Sequence, residues 1–453
     1  MKAKTSGPRT ASNVALATLL AASLAAAAPA SAATTAPKTV VLDGPALVRI
    51  RSELGRPTEP QRLAKKELLK RAQAAAGLQD YHVVGGPPGP REYYSQAPYW
   101  WDCRKPPGGV TPKPCFKYTG KAPCPNGYSY VQYDGKTNPE IGKYLDHGHM
   151  TATLHAIYVL SLAWFYTGDQ SYANKAESKL RAWFLDPANG MKPEMPFAQM
   201  IPCHDGARGE GILESSERIT QVIDALALLD SGAPGWTPGD QQAMKTWLTA
   251  FSHWMETSEQ GHLESAKKNN HGSWKDLQDA VIESYLGNAQ KAHDLVSHAK
   301  TARIDVQIAT DGHQPLETVR TRSWHYSNFN ATALCRLAEV GRHVDAKLWT
   351  YVHPGPGPGH GGSLPGAINF LIPAFVHNSA GDGTWWPFPN IRDTDAWPSP
   401  VYLLHAADEE AGDMQAHTAL TGYTMPEKKV HGVDMWPLVP ACSPIDEANV
   451  DNI

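Results

Sequence analysis

Apolar residues recur every three or four positions through most of the chain, in runs separated by glycine, proline and capping residues. Met150, Leu154, Ile157 and Tyr158 form one stripe that stops at Gly168, and Tyr172, Ala176, Leu180 and Trp183 form the next. Ile219, Val222, Ile223 and Leu226 resume the pattern. Thr237-Pro238-Gly239-Asp240 reads as a capped start with proline in first position, leading into Met244, Trp247, Leu248, Phe251 and Met255. Leu47 to Leu78 reads as one or two further helices, and Leu295, Val296 and Ala299 mark another. This period predicts amphipathic helices, and strand-like alternation is scarce before the last hundred residues. The expected class is all-α. Successive helical hairpins naturally close into an (α/α) toroid whose inner helices present their ends to a cleft.

Two helix starts carry unusual polar residues. In Asn269-Asn270-His271-Gly272-Ser273-Trp274, Ser273 and Asp276 read as a capping box, with Trp274, Leu277, Val281 and Tyr285 as the apolar stripe behind it. Asn270 and His271 are then expected just outside the helix N-terminus, where free N–H groups and the dipole favour an anion. Downstream, Arg320-Thr321-Arg322-Ser323-Trp324-His325-Tyr326 also runs into a helix. If Ser323 caps it, Tyr326, Phe329, Ala333 and Leu337 face inward, with Arg320 and Arg322 at its mouth.

Composition narrows the partner. A formal net charge of −4 over 453 residues argues against a general nucleic-acid or membrane-surface binder, so an anion site must be local. The 14 Trp and 17 Tyr supply candidate platforms for sugar rings, although most are expected in the core. Tyr81 to Asn138 is rich in Pro, Gly, Tyr and Trp and reads as a long irregular segment near the cleft, a lid or a wall. Lys2, Lys4 and Arg9, the apolar run to Ala28 and Ala30-Ser31-Ala32 read as a signal peptide over 1–32, with 33–453 as one toroid domain. The mature protein is expected to be secreted, soluble and monomeric. Six cysteines suit an oxidising compartment, with at least one disulfide expected within Cys103 to Cys124 and Cys335 read as a small buried residue.

The two polar stretches together resemble the alginate-lyase-like superfamily of polysaccharide lyases. Within it they are most similar to polysaccharide lyase family 38, whose members cleave glucuronan or alginate. Asp134-Gly135-Lys136-Thr137-Asn138-Pro139-Glu140, Leu180 to Pro187 and Phe197-Ala198-Gln199 resemble the same family, and the likeness spans about Asp134 to Asn390. It implies an incomplete (α/α) toroid, a cleft for an acidic polysaccharide and β-elimination without a cofactor or obligatory metal. By the same resemblance Asn270 neutralises the uronate carboxylate, His271 stands beside it, Arg320 or Arg322 is the arginine and Tyr326 the catalytic tyrosine. Gln199, Arg322, Asn269, His325 and Trp274 are the expected substrate contacts. The chain departs from the family's alginate lyases at Gly272-Ser273, where they carry Ser-Tyr, and at Ser327-Asn328, where they carry His-Asn.

The chemistry is intelligible from the residues. A uronate C5 proton is barely acidic until the carboxylate charge is neutralised, because abstraction places further charge on that group. A base must take the C5 proton and an acid must protonate the departing O4. Where these two groups share a side of the ring, as expected for mannuronate, one tyrosine can do both if a nearby cation lowers its pKa; where they lie on opposite sides, as expected for glucuronate, a second group such as His271 is needed. Two other classes compete: a toroid glycoside hydrolase, with Asp134, Glu140, Asp146 and Glu214 as candidate carboxylates, and a non-catalytic carbohydrate-binding protein. Arg208, Glu214, Glu217 and Arg218 read equally as solvated ion pairs or subsite residues, and His147, His149 and His155 as a weak metal candidate.

Overall fold

Helix boundaries fall where the terminal residues can satisfy the backbone. The structure, a computed structural model, describes residues 35–86, 89–355, 361–378, 386–388, 400–422 and 433–443, so the expected leader 1–32 lies outside it. Helices α1 (Gly44–Glu53) and α2 (Glu59–Gly77) occupy the stretch read as one or two helices, and a Thr58/Gln61 capping box opens the second. Helix α3 (Asp146–Thr167) stops at Gly168 in the left-handed region, and α4 (Gln170–Leu180) runs into a π turn over Arg181–Leu185. Next come α5 (Leu213–Asp230) and α6 (Pro238–Thr257), which has the expected Thr237/Asp240 capping box. They are followed by α7 (Glu259–Ser265), α8 (Asn270–Leu286), which stops at Gly287, and α9 (Ala289–Ala299). Short α10 (Asp305–Gln307) and α11 (Pro315–Thr318) lead to the long α12 (Ser323–His343). Helices α13 (Leu364–Asn369), α14 (Ile372–Asn378), α15 (Val401–Ala411) and α16 (Met414–Gly422) complete the described elements.

The toroid follows from which helices are buried all round. Helices α3, α5, α8 and α12 pack side by side in that order, with α2 and α4 outside α3, α6 outside α8, and α9 against α8 and α12. Every residue from Leu213 to Leu229 in α5 and from Ser323 to Gly341 in α12 is buried, polar ones included. Such helices need internal partners for their polar groups. Arg336 of α12 supplies several, donating to the Glu217 carbonyl and the Thr220 hydroxyl of α5 at 2.9 Å each, and to the Cys442 carbonyl at 2.7 Å. The C-terminal segment 433–443 thereby sits against the inner helices, also held by the Tyr158 hydroxyl on the Ser443 carbonyl and by a Cys335–Cys442 disulfide. Cys335 is buried as expected but paired, a partner 107 residues away that no local spacing announces.

The irregular segment forms a wall. Strands β1 (Tyr94–Gln96), β2 (Trp100–Asp102) and β3 (Tyr130–Gln132) lie within it, and β4 (Phe197–Met200) lies in the loop after the π turn. β1 pairs in parallel with β4, and β2 pairs antiparallel with β3, setting Trp100 opposite Gln132. Ala97, Tyr130, Ile201 and Cys203 make a small apolar cluster separate from the main core, and the disulfides Cys103–Cys115 and Cys124–Cys203 staple it.

Asp224 in α5 fastens the N-terminal strap. Its carboxylate accepts the N–H groups of Val40, Val41 and Leu42 at 2.6, 3.2 and 2.9 Å. Burial pushes this carboxyl up to about 6, against the pull of those three donors. The native form therefore binds the proton more tightly than the unfolded chain, and the group's contribution to stability falls as pH rises from about 4 through about 6. Asp224→Ala leaves three buried N–H groups without an acceptor, an expected loss of about 3 kcal/mol or more in urea denaturation. A loss below about 1 kcal/mol would show that the strap finds other partners.

Candidate active site

The first turn of α8 is capped from outside. The helix begins at Asn270 and not at Ser273, because the expected capping pair is engaged elsewhere. The Ser273 hydroxyl donates to Gln307 at 2.9 Å, and Asp276 takes two bonds from buried Arg303, at 2.8 and 3.0 Å. Glu317 of α11 replaces them, accepting the Asn270 N–H and side-chain amide at 2.7 Å each. The anion at this helix mouth is thus the chain's own carboxylate, whose pKa burial pushes up against the pull of Asn270, Arg320 and His271. Asn270 is fully enclosed, whereas Asn269 and His271 reach the cleft. The His271 Nδ1 lies 2.7 Å from Glu264, a fully buried carboxylate of α7.

Gly272 explains one departure from the family pattern. A Cβ there would stand 2.2 Å from the Lys267 carbonyl and 2.5 Å from the Arg303 guanidinium. Arg303 needs that space, since it also donates to the carbonyls of Lys267 at 2.7 Å and Ser265 at 3.1 Å. One buried side chain therefore fixes the whole connection from α7 to α8.

The second stretch is organised around Asp134. Arg320 makes a two-pronged pair with it, at 2.7 and 3.1 Å, and its guanidinium carbon lies 3.8 Å from the centre of the Tyr326 ring. The Thr321 N–H and hydroxyl also reach Asp134, and Gly135, with φ +69°, turns the chain without a side chain that would strike Thr321. The Tyr326 hydroxyl is 3.0 Å from that of Tyr99. Burial pushes the Tyr326 phenol well above its ordinary value, and Arg320 only partly offsets this. The expected lowering is therefore reversed: desolvation outweighs the cation. Ser323 does not cap α12 either; its hydroxyl accepts from the Trp386 indole at 2.9 Å, and Arg322 occupies the cap position.

These groups meet in a cleft of about 390 Å³. Asn269, His271, Arg320 and Tyr326 line it from the toroid, Gln199 from β4, and Tyr99, Trp100, Gln132 and Asp134 from the wall. Gln199 adopts φ +50°, with its N–H held by the Ser95 hydroxyl at 2.7 Å. Arg208, Glu210, Lys267 and Lys113 add charge to the lining. Burial draws the Arg208 guanidinium down, opposed by Glu210, while Arg208 and Lys267 bring Glu210 to about 2 against the effect of its burial. Arg208 is thus neither a surface ion pair nor isolated. Glu214, Glu217 and Arg218 are buried, not solvated.

Several expected contacts sit elsewhere. Trp274 is fully buried and packs on Phe329 at 4.8 Å between ring centres, and His325 stacks on the same ring at 5.7 Å. Neither lines the cleft, nor does Arg322. Helical periodicity had already placed Trp274 on the apolar stripe, so its core position follows from that pattern. His149 stacks on Tyr81 and His147 faces Glu214 at 3.7 Å, and with His155 they form no converging set among the described residues. Of the four carboxylates named for a hydrolase, only Asp134 lines the cleft, bound to Arg320. Sequence reasoning missed Glu264, Glu317, Glu210 and Lys267. Lys267 stands two residues before Asn269 and offered a local signal; the carboxylates arrive from separate helices and offered none.

The protein is a polysaccharide lyase. It belongs to the alginate lyase family, whose model matches residues 80–382. A crystal structure of an alginate lyase from Bacteroides ovatus is similar over 90% of this chain and 100% of that one, with 26% identity and a TM-score of 0.75. Alginate lyase A1-III from Sphingomonas species A1 shares the fold at 16% identity, over 87% and 91% of the two chains, with a TM-score of 0.50. A variant of A1-III bound to a tetrasaccharide matches at 15% identity over 90% and 97%, with a TM-score of 0.52. No curated relative matches the chain.

Gly272→Ala is expected to cost about 2–3 kcal/mol by overpacking against Arg303 and Lys267, and to lower turnover together with stability. Denaturant titration and an activity assay check this. An unchanged midpoint would mean that the connection yields without cost.

Proposed function

We propose that the protein is an exported lyase that cleaves a 4-linked polyuronate of glucuronan or mannuronate type by β-elimination, leaving a 4,5-unsaturated uronate end. The carrying observation is Tyr326 in the cleft lining, with Arg320 across its ring and His271 in the same lining. Export is supported by the leader-like residues 1–32 and by three disulfides.

The roles follow from protonation and reach. A phenol kept protonated by burial is suited to donate to the departing O4, so Tyr326 is the general acid. His271 is then the base that takes the C5 proton. Charge developing on the carboxylate needs donors in the cleft, and Arg208, Lys267, Asn269 and the Gln199 amide are available. Asn270, enclosed and bound to Glu317, acts through the helix turn that carries His271, without touching the sugar. Arg320 orients Tyr326 and is held for that purpose by Asp134. The expected contrast between the two sugars does not hold: β-mannuronate and β-glucuronate differ only at C2, so both place the C5 proton and O4 on one side of the ring.

A screen of glucuronan, polymannuronate, polyguluronate and hyaluronan should show the ultraviolet absorbance of an unsaturated uronate with the first two. No such absorbance with any polyuronate would overturn the reading. Tyr326→Phe and His271→Ala should each lower turnover by roughly 10³-fold while oligosaccharide affinity changes little. Either variant working at a tenth of the original rate would remove that residue from the proton transfers. Because neutralisation is assigned to side chains, prolonged chelation should leave the rate intact. Loss on chelation with recovery on adding one divalent ion would reassign that step to a metal.

A further inference from the structure

We infer that Lys113 is a specificity-determining residue: its ammonium receives the carboxylate of the uronate next to the one being cleaved, so the cleft selects chains with consecutive uronates. This rests on the lyase reading and narrows its substrate.

The charges of the cleft single this residue out. Leaving His271 aside, Lys113, Arg208, Lys267 and Arg320 line it against two carboxylates, Asp134 and Glu210. Arg320 is taken up by Asp134 at 2.7 Å, and Arg208 and Lys267 share Glu210 at 3.8 and 2.8 Å. One surplus positive charge therefore lies at Glu210, among the donors assigned to the reacting uronate. The other is Lys113, which has no carboxylate partner among the described residues. Its Nζ donates to the Gln132 carbonyl at 2.5 Å and lies 5.2 Å from the centre of the Tyr133 ring, both neutral groups. An ammonium has three donors, so some remain for an anion.

The wall fixes where that charge stands. Lys113 lies inside the loop closed by the Cys103–Cys115 disulfide, and its N–H donates to the Tyr133 hydroxyl at 2.9 Å. Tyr133 donates its own N–H to the Tyr99 carbonyl at 2.8 Å, and the Tyr99 hydroxyl meets that of Tyr326. Gln132 and Asp134 are two residues apart and so at most about 7 Å from each other along the chain. The first holds Lys113, and the second holds Arg320 against the Tyr326 ring. The ammonium is thus a short step along the cleft from Tyr326, within reach of a neighbouring sugar. Trp100 stands directly opposite Gln132 in the β2–β3 ladder, so its side chain shares that face and offers a ring to the same sugar.

A 4-linked polyuronate carries a carboxylate on every unit, whereas hyaluronan separates its uronates by an uncharged amino sugar. Only the first presents carboxylates to both positions from adjacent units. An ion pair with an exposed lysine is weak and screened by salt, so its mark is on affinity and salt dependence, and the bond-breaking step is left alone.

Lys113→Gln removes the charge at similar length. On whichever of glucuronan and polymannuronate the wild type cleaves faster, it should raise KM roughly 3–10-fold at low salt, with kcat within about twofold and an unchanged melting profile. The difference should shrink at ~0.5 M salt, and Lys113→Arg should restore the wild-type KM. Partial reduction of the polymer's carboxylates to alcohols should raise KM more for the wild type than for Lys113→Gln. Calorimetry with a uronate tetrasaccharide in the Tyr326→Phe background should show affinity falling by the same factor on adding Lys113→Gln. An unchanged KM and affinity in Lys113→Gln overturns the inference and leaves the lyase reading standing. So does a change that neither salt nor Lys113→Arg reverses. If no polyuronate is cleaved but the tetrasaccharide binds through Lys113, the lyase reading fails and the carboxylate site stands; a tetrasaccharide that does not bind overturns both.

Discussion

The pairing of Arg303 with Asp276 is the constraint on which the site depends. Both groups are buried, the pair is two-pronged, and the remaining guanidinium donors go to the carbonyls of Ser265 and Lys267. Removing one partner of such a pair would leave an uncompensated buried charge, at a cost of about 3–5 kcal/mol. More than stability is at stake. The clamp sets the path from α7 into α8, and so the relative positions of Glu264, Lys267, Asn269 and His271.

The toroid shows the same logic at larger scale. Its inner helices bury polar residues along their whole length, so the ring cannot be held by apolar packing alone. Buried Arg336 bonds α12 to α5 and to the C-terminal segment, and Asp224 bonds α5 to the N-terminal strap. Both ends of the described chain are therefore docked on the inner ring by buried charged groups. This places rigid helix starts around the cleft, the arrangement that a proton-transfer site needs.

Much of the fold was legible in the sequence. The stripes ending at Gly168 and Gly287 and the capping box at Thr237 marked helices where they lie, because period, stop and cap agree there. The starts of α8 and α12 were misread for one reason. Ser273 and Ser323 have the right chemistry for a cap, yet partners distant in sequence, Gln307 and Trp386, claim their hydroxyls. Local chemistry proposes a cap and tertiary contacts decide it. Of the site, His271, Arg320, Tyr326, Gln199 and Asn269 could be found because each lies in a recognisable stretch. Glu264 and Glu317 could not, since they meet their partners only through the packing of α7 and α11 on α8.

The wall of the cleft has a further consequence. It has its own small apolar cluster around Ala97, Tyr130 and Ile201 and its own two staples, apart from the main core. The groups proposed for proton transfer sit on the toroid, while Trp100 and Gln132 sit on the wall. Positions such as Trp100 and Gln132 are therefore open to change in descent, which would alter the sugar that the cleft admits, whereas Asp134 and Tyr99, on the same wall, are bound to Arg320 and Tyr326 and tie it to the toroid.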